Sequence, residues 1–191
     1  MLRKSRRISA STDNKNIIDV VYEHENEILD ALCQADKDAY HTSASIAVYI
    51  TDNGEIFDQT HTGNEWNTSG YEIERFNHQY EDLGDLISGD TAYLIELFAD
   101  KLGEETIYAM ANSYMKEMTY SDDYTEVTSV NDLDWNDWYD LLTENFEDTY
   151  HEIYDEVVDY VCDEGLSNGY YQGILGSFID QQEQAEKYRN Y

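Results

Sequence analysis

Carboxylates are nearly the only charged groups this chain has to work with: 42 Asp and Glu stand against 11 Lys and Arg, for a formal net charge of -31. Three spacings among them invite a chemical reading. His151-Glu152 opens the HExxH pattern, which sets two zinc-binding imidazoles and a general base on one helical face, but Asp155 occupies the place of the second His. Asp132, Asp134 and Asn136 match the first ligands of a calcium loop, yet Asp137 replaces its turn glycine and Thr143 its closing Glu. Carboxylate pairs at the separation needed for glycoside hydrolysis are unavoidable among so many acids and carry no weight. With no Walker-type loop, GxSxG or CxxC in the sequence, the expectation is a protein that is not an enzyme and has neither cofactor nor metal.

The third spacing is the most telling. Asp134, Asp137, Asp140, Glu144, Glu147, Asp148, Glu152, Asp155, Glu156, Asp159, Asp163 and Glu164 follow one another mostly by three or four residues. Trp138, Leu142, Phe146, Tyr150, Ile153, Val157 and Val161 step the same way on the opposite side, predicting one continuous helix over 134–164 that Gly165 ends. At about 1.5 Å of rise per residue the carboxylates recur roughly every 4 Å, against one phosphate per about 3.4 Å along a DNA strand. A solvated face ordinarily mixes Lys with Glu, because like charges at i,i+4 repel. Between Glu117 and Glu186 there are 20 acids and no Lys or Arg. The twelve carboxylates are therefore expected to form a contact surface for a basic partner.

Composition sets the frame. A hydrophobic share of 41% is too high for a disordered polyanion, so a folded body is expected. Residues 1–16 carry Arg3, Lys4, Arg6, Arg7 and Lys15 and read as a flexible basic arm. Residues 17–191 read as a single acidic body, or as two lobes over 17–89 and 90–191. Cys33 and Cys162 suit buried thiols in a reducing compartment. No apolar run approaches a membrane span and no secretory signal opens the chain, so a cytoplasmic protein with no membrane partner is expected.

The elements that must position the acids follow from periodicity. Ile17 to Ala35 predicts a helix, and Ser45–Thr51 and Glu55–His61 predict a hairpin closed by Asn53-Gly54 as a type I′ turn. Tyr71–Phe76 alternates as a third antiparallel strand. Asp90 caps a helix ending at Gly103, and Glu104-Glu105 open its antiparallel neighbour. Residues 120–130 read as a loop or short strand. A last helix from about Ser167 carries Gly169, Gly173 and Gly176 for close backbone approach. The fold class is α+β, α-rich, with a small antiparallel sheet near 45–61 and several packed helices. Tyr, at 18 residues, is the second anomaly; Tyr22, Tyr120, Tyr124, Tyr139, Tyr154, Tyr160, Tyr170 and Tyr188 lie beside acids, with packing weighed above partner contact for any one of them.

The Lys-free stretch DLDWNDWYDLLTENFEDTYHEIYDEVVDYVCDEG resembles, in charge pattern, the DNA-mimic inhibitors of phages and mobile elements, such as antirestriction and some anti-CRISPR proteins. The likeness extends over the body from about residue 17. It implies a stoichiometric inhibitor of a nuclease, methyltransferase or CRISPR-type effector, binding that basic protein in its DNA or RNA channel. The competing expectation is an acidic, chaperone-like adaptor that shields a basic partner without blocking nucleic acid.

Overall fold

The computed structural model describes residues 16–61, 70–79, 81–118 and 125–189. The basic arm, apart from Asn16, and Tyr120 and Tyr124 lie outside the described residues. The architecture is the α-rich α+β class: among the described residues, eight α-helices and a three-stranded antiparallel sheet.

Asn16 starts α1 (Ile17–Glu23) by accepting the Ile18 N–H on its side chain, and His24 breaks the chain into α2 (Glu25–Thr42). The single helix expected over 17–35 is thus two, and the second runs further. Strands β1 (Ser45–Ile50), β2 (Ile56–His61) and β3 (Tyr71–Phe76) form a sheet in the order β2-β1-β3. Ile46, Val48 and Ile50 on the central strand face a core with α2, while Tyr49 on the other face stacks on Phe57 at 5.3 Å. The hairpin turn is not type I′. Only Gly54 has a positive φ, +81°, and the Thr51 N–H donates to the Glu55 carbonyl, so three residues close the loop with Gly54 at its left-handed position.

A short α3 (Leu83–Leu86) was not anticipated; an Asp82–Asp85 capping box starts it. Asp90 caps α4 (Thr91–Leu102) through the Tyr93 N–H, and Gly103, at φ +86°, stops it before α5 (Glu104–Met118). Residues 125–129 have no regular structure and lead into a 3-10 turn over Val130–Asp132.

The continuous helix expected over 134–164 is instead two, α6 (Trp135–Asn145) and α7 (Glu147–Asn168). Phe146 separates them at φ -133° and ψ 50°. Just before it, the side chains of Thr143 and Asn145 bond back to the carbonyls of Tyr139 and Leu141, which competes with the regular ladder. Gly165 does not end α7. It lies buried inside the helix, and Gly169, left-handed at φ +87°, ends it before α8 (Tyr170–Arg189).

Two cores result. The first joins α1, α2 and the sheet to Val158, Cys162, Tyr171, Leu175 and Phe178; the second joins Leu83, α4, α5 and Trp138 to Ile153 and Val157. A division at 89/90 does not describe them: the first core draws on both ends of the chain, and α7 contributes successive turns to each.

Candidate functional site

All twelve predicted carboxylates lie at the surface, Asp137 half-buried and the rest exposed. They do not form one rod. Asp134 accepts the Asp137 N–H as the N-cap of α6, and Asp132 accepts the N–H groups of Thr128 and Ser129, which hold its pKa below the ordinary carboxylate value. Asp132 and Asp134, two of the three positions that imitate a calcium loop, thus serve as turn and helix caps.

On α7 the helical phase places Asp148, Glu152, Asp155, Glu156, Asp159 and Asp163 within one face about 100° wide. Glu147 and Glu164 fall outside it. This face is not free of cations, contrary to the expectation from the Lys-free sequence, because α2 and α4 supply them across the fold. Lys37 of α2 lies between Asp159 at 3.1 Å and Asp163 at 3.0 Å. Lys101 of α4 lies between Glu152 at 2.8 Å and Glu156. His41 meets Asp155 at 3.1 Å, and outside the stripe His151 meets Glu147 at 4.0 Å. Hydrogen bonding to Asp163 raises the Lys37 pKa, and hydrogen bonding to Glu152 and Glu156 raises that of Lys101. Each lysine thus answers two carboxylates spaced i,i+4, relieving the repulsion that spacing creates and leaving an anionic excess.

Asp137, Asp140 and Glu144 share one face of α6, and with Asp148 beyond the break they form no ion pair with any described residue. The same holds for Glu164 on its own side of α7.

A second feature, which the charge pattern did not signal, lies at the C-terminal end of α7. A cleft of about 480 Å³ opens between α2, α7 and the start of α8, with Asp36, Tyr40, His78, Val161, Tyr170 and Tyr171 on its walls. Asp36 is only 6% exposed. It accepts from His78 Nε2 at 2.6 Å and from the Tyr171 hydroxyl at 2.8 Å. His78 Nδ1 meets Glu81 at 3.1 Å, and the imidazole lies flat on Tyr40 with ring centroids 3.6 Å apart. Burial pulls the His78 pKa down, but the hydrogen bonds and charges of Asp36 and Glu81 outweigh it and leave it raised. Both ring nitrogens are committed to carboxylates, an arrangement that favours the protonated imidazole.

Gly165 makes this arrangement possible. A Cβ there would stand 2.8 Å from the ring of Tyr171, the side chain that reaches Asp36. Gly173 and Gly176, expected to permit close approach, have open space beside them. Cys33 and Cys162 are free and buried behind the cleft; burial raises both pKa values, that of Cys162 up to about 12. Of the tyrosines, Tyr139 and Tyr154 pack, while Tyr22, Tyr160, Tyr170 and Tyr188 remain exposed.

No family model, curated protein or solved structure matches the chain.

Proposed function

We propose that this protein is a nucleic-acid-mimicking inhibitor that enters the basic DNA- or RNA-binding channel of a nuclease, a restriction-modification enzyme or a CRISPR-type effector. The observation that carries the reading is the set Asp137, Asp140 and Glu144 on α6 and Asp148 at the start of α7: exposed or half-exposed carboxylates with no ion pair among the described residues, in a body of 41 acids and 6 Lys or Arg over residues 16–191. Lys37 and Lys101 are already engaged by α7, and Arg75 and Lys187 also pair within the chain. A cationic channel that gains affinity by exchanging counterions for phosphates can make the same exchange with carboxylates, which accept bidentate Arg contacts in a comparable geometry. The α6–α7 break replaces the straight rod of the sequence reading with two shorter acidic segments, the second partly neutralised.

The test is DNA or RNA cleavage by such effectors with the protein added in increasing amounts. Inhibition that is stoichiometric, is overcome by excess nucleic acid and weakens steeply with salt is the expected result. A complex in which the effector keeps its nucleic acid and its activity would instead describe an adaptor and would overturn the proposal.

A further inference from the structure

We propose that the cleft between α2, α7 and α8 receives an arginine side chain projecting from the basic partner. The inference rests on the partner being basic, and it adds a specific pocket to what is otherwise a diffuse anionic surface. The charges decide the sign of the occupant. Asp36 and Glu81 flank His78, the only cation lining the cleft among the described residues, so the three together carry a net negative charge even when the imidazole is protonated. Besides burial, the charges of Asp36, Glu74 and Glu81 raise the Tyr170 pKa, in keeping with a negative local field, and of the three Asp36 lines the cleft itself. An anionic ligand would enter against that field.

The walls decide which cation. Tyr170, on the cleft wall, is 53% exposed and so keeps aromatic surface available to a planar cation, and it forms a T-shaped pair with Tyr171 at a centroid distance of 5.1 Å. Val161, 37% exposed, offers an apolar wall to an aliphatic stem. A guanidinium stacks on an aromatic face and is more weakly hydrated than an ammonium, so this combination favours arginine over lysine. About 480 Å³ is ample for one such side chain.

The experiment is an NMR titration of the full chain with N-acetyl-arginine methylamide, its lysine counterpart and its neutral citrulline isostere. The expected result is saturable shifts at His78 and at the amides of Gly165 and Gly169 with arginine, weaker ones with lysine and none with citrulline. Tyr170→Ala, which removes an exposed ring, should weaken arginine binding roughly two- to thirtyfold, the span of a cation–π contact from exposed to partly desolvated. Equal responses to arginine and citrulline, no saturable shift in the cleft, or shifts confined to Asp140 and Glu144 would overturn the pocket. That last outcome would leave the basic-partner reading standing, because inhibition and its competition with nucleic acid are measured separately.

Discussion

Asp36→Ala should destabilise the first core by an amount the surrounding bonds define. The carboxylate is 6% exposed and accepts two hydrogen bonds, from His78 at 2.6 Å and Tyr171 at 2.8 Å. Tyr171 is fully buried, and without Asp36 its hydroxyl has only a cysteine sulfur, a weak acceptor, to turn to. Stranding such a donor costs about 1–3 kcal/mol. The charge-assisted bond to His78 adds about 1.5–3 kcal/mol, taken at its lower end because His78 keeps Glu81 and its side chain is 17% exposed. The expected loss is about 2.5–4.5 kcal/mol, close to the range for breaking a buried ionic pair. For a chain of 191 residues that corresponds to a fall in Tm of roughly 5–18 °C. Urea unfolding followed by tryptophan fluorescence measures it, since Trp138 is buried in the second core and reports whether both cores unfold together. A loss below about 1 kcal/mol with an unchanged m-value would refute the view that this network ties α2 to α8.

Other outcomes follow from the same geometry. Because the folded-state pKa of His78 is raised, its contribution to stability is complete below the unfolded value of about 6.5 and is lost as pH rises through the folded value. Urea midpoints measured upward from about pH 6 should show this decline, and His78→Gln should flatten it. Gly165→Ala forces a methyl against the Tyr171 ring and is expected to cost about 1–3 kcal/mol in the same unfolding experiment, whereas Gly173→Ala, with open space beside it, should cost nothing or stabilise the helix. Lys101→Met releases Glu152 and Glu156, so binding to polylysine should tighten and become more salt-dependent; unchanged binding would mean those carboxylates do not face a partner.

The α+β class, the three strands and the Asp90-to-Gly103 helix were legible because each rests on local rules: alternation, capping and a left-handed stop. The break at Phe146 was hidden because one non-helical residue hardly disturbs the spacing Leu142, Phe146, Tyr150, so the apolar stripe runs through it unbroken. Gly165 was misread as a stop because its role is set by Tyr171, which the chain brings back only after the turn at Gly169. The acids of α7 were correctly placed on the surface, but their partners Lys37 and Lys101 lie at least 51 residues away in sequence, beyond any local pattern. The cleft was invisible for the same reason: Asp36, His78 and Tyr171 come from three distant segments and meet only through packing.

On the proposed function, Asp137, Asp140 and Glu144 of α6, with Asp148 at the start of α7, stand in for nucleic-acid phosphates. The most direct measurement is the salt dependence of affinity for a nucleic-acid-cleaving effector that the protein inhibits, comparing the native chain with Asp137→Asn, Asp140→Asn, Glu144→Gln and Asp148→Asn combined. A log Kd that rises linearly with log salt in the native chain, with a clearly shallower slope and lost inhibition in the variant, is the predicted result. An identical slope and undiminished inhibition in a variant that still folds would contradict it.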